Sequence, residues 1–230
     1  HANLYCITSA YAAIVSRVQP AVWHMNFIPG LMRAVAASAF LFAFTHSTQA
    51  ETQFQKSISY FQIGGKTAAD LDRELSNRGP LTQSTGARHP GATEIKFGGE
   101  LTYVEKNGRC NIGEVKVTLH TKILLPRWKN RARTSADLAL IWDTLSADIK
   151  RHEERHAEIS RSYGRILEKR LKGLRPQKTC EALQAQVADT TQKVMAEHDR
   201  DQQRFDRIES KNFDARMMRL LSHRLKARDN

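Results

Sequence analysis

His152, Glu153 and His156 stand in the order H-E-x-x-H within the segment RHEERHAEIS, residues 151–160. Imidazoles four residues apart lie one turn apart on one face of an α-helix, where both can reach a single tetrahedral metal ion. Glu153 falls about 60° from His156 around the same helix, beside such a metal without having to bind it. A zinc ion there acidifies water and polarises a carbonyl. A carboxylate beside it accepts the water's proton and passes it to a leaving amine. The pattern therefore points to peptide-bond hydrolysis, with His152 and His156 as ligands and Glu153 as the catalytic base. Nine histidines and 13 glutamates in 230 residues give this spacing by chance in roughly 2 of 100 such chains. The surroundings must decide between a metal site and two hydrogen-bonded histidines on an ordinary helix.

Those surroundings are helical. Leu138, Trp142, Leu145 and Ile149 precede the motif at helical spacing, and Ile159, Tyr163, Ile166 and Leu167 follow it. His152 and His156 continue this stripe and so face the core, whereas Glu154 and Arg155 point elsewhere. A catalytic zinc site needs a third protein ligand. Gly173 and Pro176 break the helix, and a second helix begins near Thr179 with Cys180, Leu183, Val187, Val194, Phe205 and Ile208 on its stripe. With the turn centred near residue 176, equal rise along antiparallel helices brings His198 level with the gap between His152 and His156. The margin is about four residues, or roughly 6 Å. Asp201, one turn on, is an alternative ligand or a carboxylate that orients His198. Asp206 and Glu209 are further alternatives. Tyr163 reads as core rather than as an oxyanion donor, and His89 and His120 are candidate substrate-side groups.

The elements that must position these groups change in kind near residue 133. Residues 51–133 read as β-rich and residues 134–230 as helical. SISYFQI (57–63) is strand-like, and TAADLDRELSNRGP (67–80) is a short helix that Thr67 can cap. Residues 81–92 form a loop. Ile95/Phe97, Leu101/Tyr103 and Val115/Val117/Leu119 alternate with polar residues as half-buried strands do, and Asn107-Gly108 is a hairpin turn. A helix starts near Asp137, capped by Thr134 or Ser135, and the basic tail after Asn212 forms a third, separate helix. The expected class is α+β, with a small antiparallel sheet packed against a long antiparallel helical hairpin.

Residues 25–50 carry Arg33, an apolar run from Ala34 to Phe44 and a small residue at Ala50. That run, about 11 residues, is too short for the roughly 20 of a membrane span. It reads as a signal peptide cleaved after Ala50, with residues 1–24 as upstream sequence outside the fold. Residues 51–230 then form one domain of periplasmic or secreted location, exported in the Gram-negative manner. The chain carries a net charge of +12; without Arg17 and Arg33 the exported part carries +10. Export argues against nucleic acid as a partner. The spread of positive charge along the helices suits a solvated face with affinity for anionic envelope components. Cys110 and Cys180 are the cysteines beyond the signal. An even pair in an oxidising compartment favours a disulfide, which would close a long loop. The sequence sets no oligomeric state.

Taken together, Tyr60-x-x-x-Gly64, Leu71, Gly79-Pro80, Cys110, Leu125-Pro126-Arg127-Trp128, His152-Glu153-x-x-His156, Cys180 and Phe205-Asp206 resemble a bacterial domain family. It is described as predicted secreted zinc-dependent proteases and was formerly a domain of unknown function. The resemblance spans residues 51–230. It implies a metallopeptidase with His152 and His156 as zinc ligands and Glu153 as base, acting on a protein or peptide substrate, and it supports the Cys110–Cys180 pairing. The chain departs from the family in two places. Glu209-Ser210-Lys211-Asn212 stands where many members carry Thr-x-His-Gly, and Glu154 and Arg155 put charge inside the motif. The competing reading is a non-catalytic envelope protein. In it zinc staples the hairpin through four ligands, with Asp201 beside His198 as the fourth, and the basic helices bind a partner or anionic surface. A third reading is a module that buffers or delivers zinc.

Overall fold

The structure is a computed structural model and describes residues 10–14, 52–82 and 86–229. The expected signal peptide at 25–50 and Cys6 lie outside the described residues. The centre of the fold is a long hairpin of β3 (Ala92–Lys106) and β4 (Arg109–Trp128). Its turn, Asn107-Gly108, has φ of 55° and 66°. Positive φ at both central residues matches the right-handed twist of the flanking strands, which is why this dipeptide closes hairpins. The alternation read from the sequence is carried through: Ile95, Phe97, Leu101, Val115, Val117, Leu119 and Ile123 are buried on one face. Lys96, His120 and Lys122 are exposed on the other. Gly98-Gly99 does not interrupt the strand. A Cβ on Gly99 would sit 2.3 Å from the Lys116 carbonyl oxygen, so this close crossing requires glycine.

The sheet is mixed, and this corrects the expectation of an antiparallel one. β2 (Gln53–Ile63) pairs in parallel with β4, from Gln53 opposite Thr118 to Ile63 opposite Trp128. One edge of β4 is taken by its antiparallel hairpin partner β3. The chain leaving β2 passes through α1 (Ala68–Arg78) and a loop before β3, a crossover long enough for β2 to join the other edge in parallel. The strand order is β1-β3-β4-β2, with β1 (Ala10–Ile14) parallel along the outer edge of β3, which places residues 10–14 in the sheet where residues 1–24 were expected to lie outside the fold. Thr67 caps α1 by accepting from the Asp70 backbone, while the Asp70 carboxylate accepts from the Thr67 backbone. This reciprocal cap fixes the direction in which Leu71 and Leu75 enter a cluster with Ile63, Trp128 and Trp142.

Two long helices cover the apolar face of the sheet. α2 (Ala136–Lys172) starts at the N-cap Ser135 and ends at Gly173. α3 (Cys180–Asp229) runs antiparallel to it as one helix of 50 residues. The separate third helix expected after Asn212 is not formed. No glycine or proline follows Pro176 in the sequence, so nothing interrupts the backbone ladder. Leu167, Leu171, Val187 and Val194 pack on Phe97, Leu101 and Val115 as the main core cluster. Cys110, at the hairpin tip, is joined to Cys180, the first residue of α3. Backbone bonds of 2.9 Å in both directions between Cys110 and Gln177 hold the same junction. Among the described residues, no helix is long and apolar enough to cross a membrane.

Candidate functional site

Burial in α2 and α3 brings His152, His156 and Asp206 together. His152 Nε2 lies 3.1 Å from His156 Nε2. Asp206 Oδ1 lies 3.0 Å from His156 Nε2 and 3.4 Å from His152 Nε2. The three residues are 1%, 0% and 4% exposed. Among the described residues they form the one group of His, Cys, Asp or Glu side chains whose ligand atoms all lie within 4.8 Å of one another. Asp206 Oδ1 is buried without a hydrogen bond of proper geometry. Lone pairs at this spacing repel unless positive charge stands among them. One proton can bridge the two nitrogens, but a divalent cation satisfies all three atoms at once. Two imidazoles and a carboxylate form a donor set suited to zinc.

The electrostatics agree with that need. Burial disfavours charge on His152, but Asp206, Glu209 and Glu153 outweigh it and raise its pKa to about 9. Burial likewise works against the Asp206 carboxylate, and the two imidazoles still hold its pKa below the ordinary range. Glu209 is brought down to about 2 against its own burial, by His152, Arg151 and Arg216. A metal and a proton compete for the same nitrogen lone pairs here.

The surrounding side chains orient the rings. The Gln202 Oε1 accepts from His156 Nδ1 at 2.5 Å, which leaves the lone pair on Nε2 facing the cluster. Gln202 Nε2 in turn donates to the His156 carbonyl, to Ser160 Oγ and to His198 Nε2, at 3.2, 3.0 and 2.8 Å. Glu209 lies on the far side of His152, 3.7 Å from its Nδ1. It is held there by Arg151 and Arg216, and both of these also grip the buried Asp148. Phe205 stacks on His152 with ring centroids 4.9 Å apart and meets His156 edge-on at 5.0 Å.

Glu153 is 2% exposed and is fixed from the sheet. Thr93 Oγ1 of β3 donates to Glu153 Oε2 at 2.8 Å and lies 3.0 Å from the Glu153 carbonyl oxygen. Just before β3, Gly91 passes so close that an added Cβ would lie 2.8 Å from Glu153 Oε1. His89, two residues earlier, is also buried; burial lowers its pKa, with Asp206 and His152 acting on it in opposite directions.

His198 is not a member of the metal-ligand group. It sits against Ser160, with Nε2 3.0 Å from its Oγ, and its Nδ1 lies 3.0 Å from Asp199 Oδ1. Phe97 and Tyr163 enclose it edge-on. Asp201 accepts from the Tyr163 hydroxyl at 2.6 Å and is not part of the His152–His156–Asp206 cluster. His120 lies on the opposite face of the sheet, in a groove of about 290 Å³ lined by Gln55, Lys56, Glu94, Lys96 and Lys122, away from His152 and Glu153. The reason that Asp206, and not His198, stands beside the two histidines is axial. Arg151 meets Glu209, and Tyr163 meets Asp201, so the level of symmetry between the helices falls near residues 180–182 rather than 176. The first turns of α3 run past the end of α2 to reach Cys110. That overshoot replaces His198 by Asp206, eight residues or about two turns later.

Thr93, Gly91 and Gln202 were not foreseen. Gln202 had a signal: His198, Gln202 and Asp206 recur every four residues along the otherwise apolar stripe that contains Val194. Polar side chains at core positions must find partners. Gly91 and Thr93 carried none, because their role arises from strand-to-helix packing.

The sequence profile of a family described as bacterial protein of unknown function (DUF922) matches residues 58–213. No curated protein and no solved structure matches the chain.

Proposed function

The chain belongs to this bacterial family of unknown function, and from that premise we propose that it is an exported zinc-dependent peptidase with His152, His156 and Asp206 as metal ligands and Glu153 as general base. One observation carries this reading: three buried ligand atoms converge while the carboxylate next in sequence to His152 is held in place by Thr93. When bound, zinc supplies Lewis acidity that polarises a scissile carbonyl and acidifies water. Glu153 takes a proton on its carboxylate and returns it to the departing amine. Gln202 holds His156 in the tautomer and orientation that direct its Nε2 inward, while His152 is positioned by the stacked Phe205 ring with the Glu209 carboxylate 3.7 Å from its Nδ1. Three protein ligands would match the donor count of a catalytic zinc site, which keeps one position for water or substrate.

The alternative is a non-catalytic envelope protein in which zinc staples α2 to α3, and it draws on the near-complete burial of the ligands. A structural site of that kind closes with a fourth ligand. Here Asp201 is engaged by Tyr163, and Glu209 by Arg151 and Arg216. The deciding experiment is Glu153→Gln. We expect it to keep one zinc per chain and to lose hydrolysis of unfolded protein or peptide by roughly 10²–10⁴-fold. A zinc-loaded wild type that cleaves no peptide bond in any unfolded substrate would reject the peptidase and leave the staple.

A further inference from the structure

We propose that the solvent-facing side of the C-terminal half of α3 docks on an anionic lipid surface. This inference shares no residue with the metal site and does not depend on it. Positions 207, 211, 218 and 225 lie along one line of α3, four, seven and seven residues apart, over about 27 Å of helix. They are Arg207, Lys211, Met218 and Leu225. Met218 is 65% exposed and Leu225 38%. Arg219 and Lys226 flank them, both exposed. Among the described residues, Arg207, Lys211, Arg219 and Lys226 form no ion pair. The cations that face α2 are engaged: Arg216 bonds Asp148 at 2.9 and 3.1 Å, and Arg228 bonds Asp137 at 2.7 Å. The helix thus divides its positive charge between a side neutralised by α2 and a side left facing outward.

Charge and apolar content together select the occupant. Residues 207–228 hold seven Lys or Arg against two Asp or Glu, a net +5. A second copy presenting the same face would meet it with like charge, which disfavours self-association. Exposed methionine and leucine within a basic stripe suit the boundary between anionic headgroups and acyl chains, where a helix lies flat in the interface plane. Met218, Arg219, Leu225 and Lys226 lie beyond residue 213, where the family match ends, while Arg207 and Lys211 lie within it.

The test uses the protein as an exporting host releases it, sedimented with vesicles. We expect partition onto phosphatidylglycerol-containing vesicles, little onto pure phosphatidylcholine, and release by salt. Arg219→Ser with Lys226→Ser should weaken partition roughly five-fold per charge. Met218→Ser with Leu225→Ser should weaken it while leaving the far-ultraviolet dichroism and zinc content unchanged. The charge pair serves as the second variant should the apolar pair disturb folding. Equal partition of both variants and wild type, no binding to anionic vesicles, or equal binding to neutral ones would overturn the proposal. So would a concentration-dependent dimer abolished by Met218→Ser and Leu225→Ser, which would assign the face to a second copy.

Discussion

Gln202 connects groups that no short stretch of sequence could bring together. Its carbonyl oxygen fixes His156, and its amide reaches Ser160 and His198. An amide that orients a ligand imidazole supports metal affinity without touching the metal. Gln202→Leu should therefore weaken zinc binding roughly 10- to 100-fold in a chelator competition. His198→Ala should leave zinc near one per chain, because both His198 nitrogens are already engaged by Ser160, Gln202 and Asp199. If His198→Ala strips the zinc while Asp206→Ala retains it, the ligand set derived from the helix register is wrong.

At the scale of elements, two contacts govern the site: β3 against α2, and α2 against α3. Gly91 lets the chain cross directly over Glu153, and a methyl group there would also come within 2.9 Å of Ile149 Cγ2. Gly91→Ala should cost about 1–3 kcal/mol by overpacking, read by urea unfolding. It should also lower activity more than zinc content, because the side chain it displaces is Glu153. Between the helices, Tyr163 donates to Asp201. Burial first, and then this bond and the nearby negative charge, raise the phenol's pKa from 10.0 to about 12. A pKa raised in the folded state means that the contribution is complete below pH 10 and disappears as the pH rises towards 12. The stability difference between wild type and Tyr163→Phe should shrink across that window; a constant difference would remove Tyr163 as its source.

For the whole molecule, the disulfide ties the start of α3 to the hairpin tip and so constrains how far α3 slides along α2. Cys110 and Cys180 are 70 residues apart in sequence, and in the chain-entropy model closing such a loop stabilises by about 4 kcal/mol. Cys110→Ser with Cys180→Ser should lower stability by an amount of that order in denaturant titrations. It should also reduce zinc affinity, because the overshoot of α3 brings Asp206 rather than His198 to the level of His152. Unchanged zinc affinity in a folded double variant would show that core packing alone holds the register. The main cluster around Phe97, Leu167 and Val194 is the competing constraint.

Local physics was enough for the α+β class, the hairpin turn at Asn107-Gly108, the Thr67 cap, a cap of α2 at Thr134 or Ser135, the buried stripe of α2 and the placement of His152, Glu153 and His156 on it. Each depends on a period of two, a period of 3.6 or a single turn, and the chain writes those in adjacent residues. The length of α3 was written there too, since no breaker follows Pro176, although a break after Asn212 was expected. The direction in which β2 joins the sheet was not, because parallel and antiparallel edges bury the same alternating residues. Which side chain of α3 stands level with His152 and His156 depended on axial register between helices, a quantity constrained by the distant Cys110 anchor and by side-chain packing. An error of four residues at the turn becomes eight at the partner, enough to exchange His198 for Asp206. Thr93 and Gly91 reach Glu153 across 60 residues of intervening chain, and only the folded contact between strand and helix gives them a role.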